Sequence, residues 1–135
     1  MNPKTAIKTM LVLLVAVMLF HLSILLGIIP YEITWGGRLK NHTEMYFFEA
    51  ISIGINLFLF SILLIKGNYL KAIIPLRIVN LVLWVFVVLF GLNTIGNVFA
   101  ETNFEKYFSI LTLASAFLLW IILKDKKSTP PSPRL

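Results

Sequence analysis

An all-α bundle of four transmembrane helices is the fold class this sequence predicts, and three observations carry the prediction. Of its 135 residues 59% are hydrophobic and only 13% charged, too little charge to cover a water-soluble domain this small. The apolar residues fall into four runs, 6–29, 45–65, 72–95 and 107–123, each near the ~20 helical residues that cross a bilayer core. Lys and Arg gather on alternate connections, as the positive-inside rule expects of a chain with four spans. The runs leave room for one membrane domain, 1–127. The remaining Ser- and Pro-rich segment, 128–135, is expected to be a disordered tail.

The first run follows a basic start, Lys4 and Lys8. It is longer than the apolar region of a secretory signal, and Ile28, Ile29, Pro30 and Tyr31 make a poor cleavage site. It is therefore expected to stay as helix 1. The connection that follows, about 31–44, is the longest. Its Gly36-Gly37 pair marks a tight turn, and Tyr31, Trp35 and Tyr46 suit headgroup level. Asn41-His42-Thr43 matches a glycosylation sequon, relevant only to a eukaryotic secretory pathway.

Helix 2 is expected to end at Lys66, and the short turn Lys66-Gly67-Asn68-Tyr69 makes helices 2 and 3 antiparallel neighbours. Helix 3 is expected from Ala72, with Pro75 in its first turn, where a missing N–H is tolerated. It ends on the polar stretch Asn93-Thr94-Ile95-Gly96-Asn97. Helix 4 follows, and its small residues Thr112, Ser115 and Ala116 suit a close helix contact.

Orientation follows from the charges. One side carries Lys4, Lys8, Lys66, Lys71, Arg77, Lys124, Lys126, Lys127 and Arg134; the other carries Arg38, Lys40 and Lys106. This imbalance puts both termini in the cytoplasm. Glu32, Glu44, Glu101 and Glu105 lie on the opposite side. The net charge of +6 is thus an orientation signal and a contact for anionic lipid heads. The basic residues form short flanks without a groove-reading motif, so no nucleic acid is expected as a partner.

Polar residues inside the spans are the candidates for function, because an ionisable group at mid-helix costs roughly 2.5–3.5 kcal/mol on insertion scales. Glu49, Ser52 and Asn56 are spaced i, i+3, i+7 and share one face of helix 2. At about 1.5 Å rise per residue, His21 lies between Glu49 and Asn56 in depth. A polar cluster opening outward would form if helices 1 and 2 pack side by side. Asn93 and Asn97 would close its mouth, and Arg38 would fold in from the loop to pair with Glu49. The expected ligand-binding set is therefore His21, Trp35, Arg38, Glu49, Asn56, Asn93 and Asn97.

Each has a plainer reading. Glu49 is shallow enough to be a headgroup-level acid, and His21 to make a single interhelical hydrogen bond. Asn56 and Asn80 suit interhelical crosslinks, and Arg77 can snorkel to phosphate. The absence of cysteine excludes disulfides and thiolate chemistry. With two histidines and no metal or nucleotide motif, no metal or cofactor is expected. Without a nucleophile, any reaction here would be proton transfer by His21 and Glu49.

Two sequence blocks carry a resemblance. Ile29-Pro30-Tyr31, Trp35-Gly36-Gly37-Arg38-Leu39, Glu44-Met45 and Phe48-Glu49 form the first; Leu92-Asn93-Thr94-Ile95-Gly96-Asn97 and Phe104-Glu105-Lys106 form the second. Together they resemble a group of small bacterial four-helix inner-membrane proteins, which implies fold and membrane location and no activity. A more distant similarity is to the sterol-isomerase and sigma-2-receptor-like fold. That fold has acids near the tops of helices 1 and 2, here Glu32 and Glu49, although the spacing differs and the outer loop is shorter.

The expected function is a binding or accessory protein of the bacterial inner membrane. Its partners would be membrane lipids, a lipid-like or small amphiphilic ligand in an outward-facing polar pocket, or a partner membrane protein. Two alternatives are an oligomeric transporter or channel, with Asn56, Asn80 and Thr112 along its path, and a membrane-embedded proton-transfer enzyme.

Overall fold

The computed structural model describes residues 1–125; the expected tail, 128–135, lies outside the described residues. The chain forms four long helices: α1 (Pro3–Leu25), α2 (His42–Lys66), α3 (Leu76–Val98) and α4 (Asn103–Lys124). Two short 3₁₀ turns, Tyr31–Ile33 and Trp35–Gly37, shape the connection between α1 and α2. All four helices are long and apolar enough to cross a membrane.

Three of the helices, α1, α2 and α4, begin earlier than hydropathy alone suggests, because polar capping residues set their starts. Asn2 accepts from the Lys4 amide, with Pro3 as the first helical residue. Asn41 accepts from the Glu44 amide, and Glu44 in turn accepts from the Lys40 amide at 2.9 Å. Thr102 accepts from the Glu105 amide, while its hydroxyl donates to the Glu105 carboxylate at 2.7 Å. A Ser/Thr/Asn followed three residues later by Glu is the sequence sign of such a start. Each cap stabilises its helix by about 1 kcal/mol.

The first two helices end by the same device. Gly27 (φ +76°) and Asn68 (φ +62°) take the left-handed conformation. The amides that follow fold back onto the last turn, Ile28 to the Ser23 carbonyl and Tyr69 to that of Leu64, both at 2.9 Å. This closure satisfies carbonyls that a helix end otherwise leaves open. It stops α1 four residues short of the expected Ile29. The third helix starts at Leu76, not Ala72, and Pro75 is its N-cap instead of a residue of its first turn. A proline biases the residue before it away from helical backbone, so Ile74 cannot belong to the helix.

Each helix packs against its neighbours in chain order, and α1 also packs against α4, closing a four-sided bundle. The α3–α4 contact is the most extensive and α2–α3 the least. The N-terminus of α1, the α2–α3 turn and the C-terminus of α4 share one end, called here the basal end. The opposite, loop end carries residues 26–41 and the α3–α4 turn.

The buried side of α2 recurs at Met45, Glu49, Ser52, Asn56, Leu59, Leu63 and Lys66, and that of α4 at Glu105, Phe108, Thr112, Ser115, Leu119 and Ile122. This alternation of three and four residues is the seam of near-parallel helix packing. The seam changes character along its length. Towards the basal end it is mostly apolar and closed, with Lys66 the exception: Met10, Leu14, Leu59, Leu63, Val79, Leu83, Leu119 and Ile122 are at most 3% exposed. Towards the loop end it carries His21, Glu49, Ser52, Asn56, Thr94, Asn97, Glu105 and Thr112, and several of these are only half-buried.

The outward faces are apolar on every helix, with Val12, Leu19, Phe47, Leu81, Val88, Leu92, Ile110 and Leu113 all exposed. Apolar surface on this scale is far beyond the isolated patches of soluble monomers and fits a multi-pass membrane protein.

Candidate functional site at the loop end

Glu49 is the centre of the polar layer. It lies on the seam of α2, one helical turn beyond Met45, and is fully buried. Both carboxylate oxygens are engaged. His21 on α1 places its Nδ1 2.6 Å from Oε2, a short hydrogen bond for a nitrogen and an oxygen. Trp35, from the loop, donates its indole N–H to Oε1 at 3.1 Å. Three separate segments thus converge on one side chain.

The sequence explains why these groups meet. His21 continues the inward stripe Met10, Leu14, Val17, His21, Ile24, so packing α1 against α2 brings it to Glu49. Trp35 arrives differently. Its φ is +55°, a left-handed conformation that costs a residue with a side chain roughly 1–2 kcal/mol. The indole bond to Glu49 and a ring contact with Phe48, 5.0 Å between centroids, hold it there.

The loop is fastened over this end of the bundle. Thr34 and Leu39 are buried, and the Thr34 hydroxyl donates to the Tyr31 carbonyl at 2.7 Å. The Thr102 hydroxyl lies 3.4 Å from the Ile33 carbonyl, linking the loop to the start of α4. Phe20, next to His21, packs against Phe104 and Phe108 of α4, at 5.7 and 4.9 Å.

His21 retains accessible surface, with 15% of its side chain exposed. Its second ring nitrogen, Nε2, has no hydrogen-bond partner among the described residues. Chemically the cluster is a carboxylate that orients an imidazole and leaves one imidazole nitrogen free to donate or accept.

The other expected site residues are placed as follows. Arg38 is exposed, and the positions expected for it around Glu49 are occupied by His21 and Trp35. The indole is neutral, so it bonds the carboxylate without bringing a second charge out of water. Asn56 is half-buried and donates to the Ser52 carbonyl of its own helix at 2.7 Å, where a bond between helices was expected. Asn97 is half-buried, and Asn93 is exposed. Between them, Thr94 faces α4, its hydroxyl 2.9 Å from that of Thr112, which also approaches the Phe108 carbonyl at 3.0 Å.

Lys66 departs most from expectation. Read in the sequence as a basic flank, it is 3% exposed and donates through Nζ to Asn80 Oδ1 at 2.7 Å, joining α2 to α3. Asn80 was expected as an interhelical crosslink, and its partner is this lysine. Arg77 is exposed.

Among the described residues no three His, Asp or Glu side chains converge where they could hold a metal ion. No family model, curated protein or solved structure matches this chain.

Proposed function

We propose that this chain is a small binding or accessory protein of the bacterial inner membrane, with both termini cytoplasmic. In this reading the loop-end half of the bundle takes the polar end of a lipid-like or small amphiphilic ligand, or a helix of a partner membrane protein. The charge asymmetry of the connections supports the orientation. One observation carries the binding reading: Glu49 is fully buried with both oxygens engaged, while the imidazole it orients keeps Nε2 without a partner. A buried carboxylate, even one with hydrogen-bond partners, rarely stabilises more than an apolar residue of the same size. A carboxylate kept at this depth is therefore better explained by what its histidine does than by stability.

Thermal unfolding in mild detergent tests it, with lysophosphatidylethanolamine and a long-chain alcohol as probes. At least one probe should stabilise the wild-type protein. The shift should fall in His21→Ala and Glu49→Gln while both still insert. Equal shifts in all three proteins, or no shift with either probe, would count against a loop-end site.

The 2.6 Å separation of His21 and Glu49 favours a second reading, proton transfer on a membrane-dissolved substrate. The carboxylate would orient the imidazole, and Nε2 would accept or donate the proton. Under this reading a lipophilic ketone in deuterated water would gain deuterium beside its carbonyl faster with wild-type protein than with His21→Ala.

A further inference from the structure

At the basal end, away from the His21–Glu49 cluster, a cavity of about 310 Å³ lies between the first turns of α1 and the α2–α3 turn. Its size is at the lower end of the roughly 300–1,000 Å³ of small-molecule sites. Lys4, Ile7, Lys8, Gly67, Asn68 and Tyr69 line it. Lys4 and Lys8 are one helical turn apart and share a face of α1. Ile7, buried between them, supplies an apolar floor. No lining residue is acidic.

On the α1 side of the cavity the backbone favours an anion, because the start of that helix carries the positive end of its dipole. The facing end of α2 would ordinarily offer bare carbonyls to the lysines. Here the amides of Gly67, Asn68, Tyr69 and Leu70 already bond to the carbonyls of Leu63, Ile65 and Leu64. Three carbonyls of the last turn of α2 are therefore already engaged.

Gly67 gives the cavity its shape. A Cβ at this position would lie 2.8 Å from two ring carbons of Tyr69 and 3.3 Å from Cγ2 of Ile7. Its backbone, φ −83°, is open to any residue, so the close approach of the tyrosine ring is what requires glycine here.

We propose that this cavity binds a single phosphate group, with Lys4 and Lys8 as its charge partners. A phospholipid headgroup and free inorganic phosphate share this chemistry. Lysine is a point-charge partner for phosphate, and the cavity lies where α1 enters the apolar surface, at the level of lipid headgroups.

The test compares thermal stabilisation of the full chain in nonionic detergent by dioctanoyl phosphatidylglycerol, dioctanoyl phosphatidylcholine and inorganic phosphate. Phosphatidylglycerol should stabilise the wild-type protein more than phosphatidylcholine. Stabilisation by inorganic phosphate at the same concentration identifies the free anion as sufficient, and its failure there identifies the lipid. Lys4→Gln with Lys8→Gln should weaken the apparent affinity about tenfold or more. Lys71→Gln with Lys124→Gln removes the same charge from the same end, outside the lining, and should leave it within about twofold. Gly67→Ala keeps every charge and should weaken binding by pushing the Tyr69 ring. Equal losses in the two double variants would reduce the effect to diffuse attraction and overturn the site. So would wild-type affinity in Gly67→Ala, or anions that stabilise no better than phosphatidylcholine.

Discussion

Trp35 donates its indole N–H to Glu49 at 3.1 Å from a backbone that a side chain ordinarily avoids. The loop conformation and the buried carboxylate therefore depend on each other. Trp35→Phe keeps a ring against Phe48 but leaves Oε1 of Glu49 without its donor. It should lower unfolding stability in detergent by about 1–3 kcal/mol. In a Glu49→Ala background the same change should cost at least 0.5 kcal/mol less, the minimum coupling of residues in one network. Thermal or denaturant unfolding of the four proteins measures the coupling, and additive losses would show that the bond contributes nothing.

Lys66 and Asn80 form the corresponding polar link at the basal end, 2.7 Å apart and with the lysine buried. Lys66→Met leaves the Asn80 amide oxygen without its donor, and Asn80→Leu leaves the ammonium without its acceptor. Each single change is expected to destabilise by about 1–3 kcal/mol. The double change, which removes both polar groups, should cost less than the sum of the two. Unfolding titrations in mixed micelles give the comparison.

Orientation can be read directly, because the chain has no cysteine and any introduced thiol is unique. Lys71→Cys and Lys40→Cys occupy exposed positions on opposite connections. With cytoplasmic termini, a membrane-impermeant maleimide labels Lys40→Cys in intact spheroplasts and Lys71→Cys only after lysis. The reverse pattern would invert the assignment.

The four helices were legible because twenty-residue apolar runs leave few alternatives. Their ends were less so, for a local reason. Hydropathy is silent on Asn2, Asn41 and Thr102, yet these side chains start three helices by bonding to backbone amides. Thr102-Asn103-Phe104-Glu105 carries the capping signature in the sequence, and that signature marks Asn103 as the start of α4.

At the site, spacing alone brought Glu49 and His21 together, since depth along a helix follows from residue count. Trp35 was expected at the site, but its bond to Glu49 was not, because it requires a left-handed residue other than glycine. Arg38 was favoured for that role by charge, whereas loop geometry gave it to the indole. Lys66 misled for a related reason: a lysine at a helix end reads as solvated until its register on the seam is known. Counting threes and fours from Leu59 and Leu63 places it inside.

The seam's change of character gives the bundle a mechanical bias. Parting the helices along their apolar stretch would uncover Leu14, Leu63, Leu83 and Leu119 and forfeit close-packed contacts. The same displacement at the loop end would uncover carboxyl, imidazole, amide and hydroxyl groups that water can take up. Spreading the helices is therefore less costly at the loop end than along the apolar stretch, and there the Trp35–Glu49 bond holds against it.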